Sequence, residues 1–180
     1  MPHLRHVPLA LCLSVTFASG CAAAGRGATP APSAEVSPEI ALPAGEQRVL
    51  RLDARGTQNY ACRPNPDAPG EFKWVLTAPE AELLDGSGTS VGRHYAGPTW
   101  ESSADGSKVV ATVKARAAGP RADAVPWLLL TATETSSEGL LANVKSVQRT
   151  DTRGGQAPSA GCTDGDTLKV PYSAVYWFSR

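Results

Sequence analysis

Apolar and polar residues alternate with a period of two over most of the chain, which is typical of β-strands that bury one face. The alternation is clear in residues 50–54, 72–77, 109–116 and 172–178, and shorter strand-like runs lie at 60–62 and 168–170. No sustained helical pattern, with apolar residues at i, i+3 and i+4 between capping residues, interrupts it. The short run Pro79–Leu84 is the one helix candidate, and it fits a hairpin strand equally well.

Turn signals separate these runs. Asp85-Gly86-Ser87-Gly88 and Asp105-Gly106 each lie between two strand-like segments, where glycine adopts positive φ at little steric cost. One side of 109–116 is polar, which indicates an antiparallel sheet with one face in water. Strand-like segments recur about every 8 to 12 residues, as in sandwiches and barrels. We therefore predict an all-β fold, an antiparallel β-sandwich or flattened barrel of about nine or ten strands.

The last predicted strand can be divided into two faces. In 172–178 the even-numbered residues, two tyrosines, an alanine and a phenylalanine, share one side. Val175 and Trp177 lie on the other. Trp127–Glu134 is apolar on both faces at first and polar later, which suits a central strand that emerges from a core.

The N-terminal segment has the features of an export signal. An apolar run of about ten residues, 9–18, follows a weakly basic start and is too short to span a bilayer. Ala18, Ser19 and Gly20 then precede Cys21. This arrangement resembles the lipobox of bacterial lipoproteins, in which the cysteine is lipidated, although leucine is preferred at the position of Ala18. Ordinary signal cleavage within residues 18–24 is the alternative.

These features divide the chain into three parts. We predict a signal peptide over 1–20, a flexible tether rich in Ala, Pro and Ser over 21–39, and a single β domain over 40–180. Position 22, directly after this cysteine, is alanine and not the aspartate that retains many lipoproteins in the inner membrane. The expected location is therefore the outer membrane or cell surface, and otherwise the periplasm or the medium.

Composition adds little to this picture except by exclusion. The 180 residues are 42% hydrophobic and 19% charged, which suffices for one domain. The 17 basic and 17 acidic side chains are scattered, so no basic face is available for a phosphate backbone. We expect no nucleic-acid partner, and contact with a membrane only through the N-terminal lipid.

Cysteine use supports export. With Cys12 in the signal and Cys21 assigned to the lipid, Cys62 and Cys162 remain as a pair, and a disulfide is the simplest interpretation. Two separate buried thiols are the alternative. A bridge would close a loop of about 100 residues, worth roughly 4–5 kcal/mol in the chain-entropy model. Two distant cysteines and one histidine make a poor metal site, and no metal or other cofactor is predicted.

The densest candidate chemistry lies in residues 92–101. His94 could act as a general acid or base with Glu101 as its partner, while Tyr95 and Trp100 could stack on a sugar or another flat ligand. The alternative is that both aromatic residues belong to the core, with His94 and Glu101 exposed. A regular strand places His94 and Tyr95 on opposite sides, so a convergent site requires the Gly97-Pro98 break to bend the chain.

Nearby serines do not complete a hydrolase. A serine nucleophile needs a base, an orienting acid and an oxyanion hole, and His94 is the one histidine of the predicted mature chain that could act as the base. Ser102, Ser103 and Ser107 therefore remain poor candidates. A cupin-type metal site fails on the same count, because it uses several histidines.

Several blocks in order resemble one known family, the bacterial and fungal secreted proteins called domain of unknown function 3455. The resemblance covers about residues 40–180. Its blocks are Leu42-Pro-Ala-Gly-Glu, Tyr60-Ala-Cys62, Gly92 to Trp100, Val125-Pro-Trp-Leu-Leu129, Ser146-Val-Gln-Arg149, Gly154-Gly, Gly161-Cys162 and Val170-Pro-Tyr-Ser-Ala174. It implies a secreted single-domain protein with this cysteine pair, and it implies no activity.

Three classes of function follow. The first is an exported, lipid-anchored β module that binds a small molecule, a glycan or a protein partner. The second is a hydrolase or lyase that uses His94 with Glu101, and the third is a structural cell-envelope protein. A ligand across Tyr95 and Trp100 would favour the first class, and a deep pocket that holds His94 beside a buried carboxylate would favour the second.

Overall fold

The computed structural model describes Met1 and residues 36–180. Apart from Met1, the predicted signal peptide lies outside the described residues, and so do the predicted lipidation site Cys21 and the predicted tether as far as residue 35. Among the described residues, no helix is long and apolar enough to cross a membrane. The predicted division of the chain at residues 20 and 39 stays a prediction.

Eight antiparallel strands make up the domain, and a 3₁₀ turn over Pro38–Ile40 precedes them. Each strand pairs with the next, and the last pairs with the first, so that one sheet closes into a ring that is not a regular barrel. This confirms the all-β, antiparallel prediction. The strands are β1 (Arg48–Pro64), β2 (Phe72–Leu84), β3 (Ser90–Tyr95), β4 (Thr99–Ser102), β5 (Lys108–Ala117), β6 (Trp127–Thr135), β7 (Ser146–Gly154) and β8 (Thr167–Ser179).

The predicted count of nine or ten strands is too high. Residues 50–54 and 60–62 read as two strands because the apolar alternation lapses between them, yet both belong to the 17 residues of β1. Pro171 interrupts the pattern in the same way without ending β8. The helix candidate Pro79–Leu84 is the end of β2, where it pairs with β1 and buries Ala81, Leu83 and Leu84.

The core fills the inside of the ring. The four even-numbered side chains of 172–178, which were predicted to share one face, point into it, and Trp100, Leu83 and Val147 are fully buried beside them. Burial of each large apolar side chain contributes about 1.5–3 kcal/mol, so this interior is the main source of stability. A few buried polar side chains, among them Gln58, His94 and Arg149, also lie in this interior.

A second, smaller cluster lies outside the ring. Ile40 is fully buried against Trp127 and Leu129, whose side chains face away from the main core. Gln148 Nε2 donates a hydrogen bond of 2.6 Å to the carbonyl oxygen of Ile40 and fixes this contact. The chain before β1 therefore covers part of the outer face of the sheet and does not enter the ring.

The disulfide between Cys62 and Cys162 is present, which confirms the predicted pair. It joins the end of β1 to the long loop before β8, and the backbone N–H of Cys62 also donates to Asp166 O at 2.8 Å. The loop is thus held at two points. A structural disulfide is consistent with a protein that leaves the cytoplasm.

Candidate functional site

The ring has an opening in its side because β3 and β4 are short. β3 pairs with β2 only from Ala81 to Leu84, and β4 pairs with β5 only up to Val110. Above the tip of the β3–β4 hairpin, residues 96–98, the edges of β2 and β5 face each other with no strand of the described chain between them. A cavity of about 320 Å³ extends from this opening into the ring.

Most of the cavity wall is apolar. The rim includes Leu76 and Val113, which are exposed, while Leu128 and Leu130 are buried deeper inside. Pro79 and Pro98 complete the wall near the hairpin tip. Pockets of about 300–1,000 Å³ with apolar walls and a few well-placed polar groups are the usual sites for small molecules, so this cavity fits a ligand at the small end of that range.

Four strands each contribute one buried polar side chain to the cavity wall. They are Gln58 from β1, His94 from β3, Arg149 from β7 and Tyr176 from β8, and none is more than 8% exposed. Arg149 lies directly between Leu128 and Tyr176 on the neighbouring strands. Closure of the ring therefore brings polar groups from distant parts of the sequence to one place.

His94 is held as a neutral ring. It pairs across the hairpin with Trp100, and the two rings stack with centroids 4.5 Å apart. Its Nδ1 lies 2.8 Å from Thr99 O, which can only accept, so Nδ1 carries the proton and Nε2 remains an acceptor. Burial, with the nearby Arg149 cation, lowers the pKa of His94 to about 3. This histidine is not a proton donor at neutral pH.

Three hydrogen-bonding groups in the cavity wall are buried and have no hydrogen-bond partner within the described residues. They are Gln58 Nε2, the indole N–H of Trp100 and the hydroxyl of Tyr176. The hydroxyl of the neighbouring Tyr172 also lacks a hydrogen bond of normal geometry, although it lies close to the Tyr176 hydroxyl, which in turn lies close to Arg149. Burial raises the pKa of both tyrosines. All four groups can donate a hydrogen bond, and the first three line the cavity together with the acceptor Nε2 of His94.

Arg149 has only a carbonyl oxygen for a partner. Its Nε and Nη2 donate to Pro126 O at 3.2 and 2.8 Å, and no carboxylate within residues 36–180 forms an ion pair with it. Arg116 adds a second cation at the rim. None of the described residues that line the cavity is acidic. The cavity is therefore electropositive.

The predicted site residues divide between the two faces of the sheet. His94 and Trp100 lie together inside the ring, whereas Tyr95 and Glu101 lie outside. There the Tyr95 hydroxyl donates to Glu101 Oε2 at 2.8 Å, and Arg93 Nη2 pairs with the same oxygen at 2.9 Å. These donors lower the pKa of Glu101, and its hydrogen bond raises that of Tyr95. The bend at Gly97-Pro98 does not bring Glu101 to His94.

The residues that sequence reasoning missed are Gln58, Arg149 and Tyr176. A signal for two of them exists, because Gln58 follows Leu52 and Ala54 on the inward face of β1, and Arg149 follows Val147 on the inward face of β7. Polar side chains on an otherwise apolar face are rarely placed there for stability. Their position on that face marks them as candidate ligand contacts.

The remaining candidates are structural. Ser107 Oγ donates to Asp105 Oδ1 at 2.7 Å and accepts from the backbone of Leu141, which fastens the turn after β4. Ser102 Oγ accepts from the N–H of Ala104 in the same turn. Within the described residues, no three His, Cys, Asp or Glu side chains come together as a metal site.

Comparison with known proteins gives one result. No curated protein and no solved structure matches the chain. A family model described as "Protein of unknown function (DUF3455)" matches residues 43–180, a range that includes all eight strands. With more than half of its length matched, the chain belongs to the DUF3455 family.

Proposed function

We propose that this protein is an exported binding protein whose β domain holds a small organic molecule inside the ring. The observation that carries the proposal is the set of unpaired donors, Gln58 Nε2, Trp100 Nε1 and the Tyr176 hydroxyl, around one open cavity. A buried donor without a partner costs about 1–3 kcal/mol of stability. Three at one cavity are explained if a bound molecule supplies the missing acceptors.

Binding is better supported than catalysis. Acid–base chemistry at neutral pH needs a group that titrates there, and the pKa of His94 is held at about 3. Its expected partner Glu101 is engaged with Arg93 and Tyr95 on the other face of the sheet. The apolar wall provides affinity, and the polar groups of the cavity provide orientation.

The proposal is tested by blocking the mouth of the cavity. Ala96 is exposed at the hairpin tip and lines the opening, so Ala96→Trp fills the entrance without disturbing the core. Ala104 is an equally exposed alanine just after β4, away from the cavity, and Ala104→Trp is the matched control. A library of small organic acids, amides, alcohols and aromatic fragments is screened by thermal shift against the wild type and both variants.

We expect fragments that raise the melting temperature of the wild type and of Ala104→Trp but not of Ala96→Trp. A ligand stabilises the folded state by RT ln(1 + L/Kd), where L is its free concentration, so the shift should grow with the logarithm of the fragment concentration once that concentration exceeds Kd. Fragments that stabilise Ala96→Trp as strongly as the wild type bind elsewhere and would overturn the proposal. A library without any hit would do the same.

The second part of the proposal concerns location. We propose that the mature chain begins at a lipidated Cys21, which anchors it at the outer membrane or cell surface, since small residues precede this cysteine and an Ala/Pro/Ser-rich segment follows it. The mass of the mature N-terminus then includes acyl chains, and Cys21→Ser moves the protein from the detergent phase to the aqueous phase. An unmodified N-terminus after Cys21 contradicts the anchor and leaves export itself intact.

A further inference from the structure

We propose that the ligand is a small monocarboxylate with an apolar body, bound with its carboxylate against Arg149. This inference rests on the proposed binding function and specifies the chemical class of the ligand. It depends on three observations. Among the described residues, Arg149 is a buried charge without a counter-charge, the three unpaired polar groups can all donate hydrogen bonds, and the wall around them is apolar. Each leads to the same kind of molecule.

The buried charge of Arg149 has no counter-charge in the described part of the chain. A guanidinium is a permanent cation, and a buried ion is costly to keep unless an ion of opposite charge accompanies it. Arg149 makes hydrogen bonds only to Pro126 O, which is neutral, and it faces a cavity without acidic residues. A ligand with one negative charge would balance this one buried cation.

The unpaired polar groups specify the kind of anion. Gln58 Nε2, Trp100 Nε1 and the Tyr176 hydroxyl all offer a hydrogen and lack an acceptor. A carboxylate has two oxygens with about four acceptor sites and no donor, and its planar shape matches the guanidinium fork. A primary amide offers a single acceptor oxygen, which leaves more of these donors unpaired than a carboxylate does.

The cavity wall specifies the rest of the molecule. Leu128 and Leu130 lie on one side of the wall, and the stacked rings of His94 and Trp100 form another part of it. His94 is neutral and Arg116 is exposed at the rim, so Arg149 is the one buried cation among the described residues of the wall, and the cavity suits a monoanion better than a dianion. The exposed Leu76 and Val113 continue the apolar surface to the mouth, where an aliphatic chain or an aromatic ring would lie.

The test compares acids with amides of the same shape. Isothermal titration of the purified protein at neutral pH measures benzoate against benzamide, and hexanoate against hexanamide. We expect at least one acid to bind about tenfold or more tightly than its amide, because a desolvated ion pair replaces a neutral contact. Inorganic phosphate, which carries charge without an apolar body, should bind more weakly than that acid.

Variants of the two arginines locate the charge. Arg149→Met should reduce the acid to the affinity of its amide, and Arg149→Lys should retain part of the preference because it keeps the charge but loses the fork. Arg116→Met, at the rim, is the matched control and should change the preference by less than about threefold, because an exposed charge is screened by solvent. If Arg149→Met fails to fold, the comparison of acid with amide in the wild type still decides.

Three results would overturn the inference. They are equal or tighter binding of the amides, no binding of either acid, and an acid preference that survives Arg149→Met in a folded protein. None of these bears on the thermal-shift screen with Ala96→Trp, which judges binding in the cavity by itself. A failure of the carboxylate class is therefore distinguishable from a failure of the proposed function.

Discussion

At the residue scale, two buried tyrosines of the domain differ in one respect. Tyr60 donates to Gly155 O at 2.6 Å, whereas the hydroxyl of Tyr176 in the cavity wall has no partner. Removal of a satisfied buried hydrogen bond costs about 1 kcal/mol, while removal of an unsatisfied polar group relieves a desolvation cost. Tyr176 is thus expected to be retained for its contact with a ligand rather than for stability.

The first prediction follows from this difference. Tyr60→Phe should lower the free energy of unfolding by about 1 kcal/mol, and Tyr176→Phe should leave it unchanged or raise it in the absence of ligand. Urea denaturation of both variants measures the two values. A loss of 1 kcal/mol or more in Tyr176→Phe would show that its hydroxyl is already satisfied and would weaken the case for a ligand contact.

His94 gives the second prediction, which concerns pH. Its pKa is lowered from 6.5 to about 3 by burial, so between these two pH values the unfolded chain binds a proton at His94 and the folded protein does not. The stability that His94 contributes is therefore complete above pH 6.5. It is lost as the pH falls from 6.5 towards 3, at up to about 1.4 kcal/mol per pH unit.

The control for this prediction is His94→Phe, which keeps an aromatic ring beside Trp100 and removes the titrating group. Its stability should fall less steeply than that of the wild type between pH 6 and pH 4, when both are unfolded in urea. NMR titration of the His94 ring provides an independent reading. A midpoint near 6.5 would mean that the ring is open to solvent and would contradict the described site.

At the scale of elements, the third prediction concerns the close approach of β1 and β2 at Gly56. A Cβ on this residue would lie 2.0 Å from Glu80 O and 2.7 Å from Ala81 Cβ, so the two strands would have to separate. Gly56→Ala should destabilise the domain by about 3 kcal/mol, at the upper end of overpacking costs. Thermal unfolding measures the loss.

Gly86 provides the matched control in the β2–β3 turn. A Cβ there meets nothing within 4 Å, and the residue does not have a positive φ. Gly86→Ala should therefore stay within about 0.5 kcal/mol of the wild type. If both substitutions cost the same, the close packing of β1 on β2 is not what requires the glycine.

The elements themselves were largely predictable, and their ends were not. Period-two alternation identified the strands and the inward face of β8, because one buried face imposes that pattern. It failed at Pro79–Leu84, where a short Pro-Glu run imitates a helix start although pairing with β1 makes it a strand. It also divided β1 in two, because Gly56 and Gln58 take positions on the inward face where apolar residues would continue the alternation.

For the site, the sequence revealed His94 and Trp100 but not their surroundings. The block 92–101 suggested a convergent set, yet regular pairing of β3 with β4 sends Glu101 to the outer face. Gln58 and Arg149 reach the same cavity only because β8 pairs with β1 and closes the ring. Such long-range closure leaves no local pattern, so it could not be read from the chain.

At the scale of the whole molecule, the fourth prediction concerns the disulfide. Cys62 and Cys162 are 100 residues apart, so their bridge restricts most of the unfolded domain. Reduction should lower the free energy of unfolding by about 4–5 kcal/mol in the chain-entropy model. Urea denaturation with and without reductant measures the difference, and Cys62→Ala should behave like the reduced protein. Equal stability of the two forms would contradict this role.

The central claim is that a ligand enters the ring, and the indole N–H signals test it most directly. Trp100 lines the cavity, whereas Trp177 lies outside the ring beneath Arg48, with 4.6 Å between the guanidinium carbon and the ring centroid. In ¹⁵N-labelled protein, a fragment from the thermal-shift screen should shift the Trp100 indole signal saturably and leave that of Trp177 in place. A shift of Trp177 with Trp100 unchanged would put the ligand outside the ring and contradict the account.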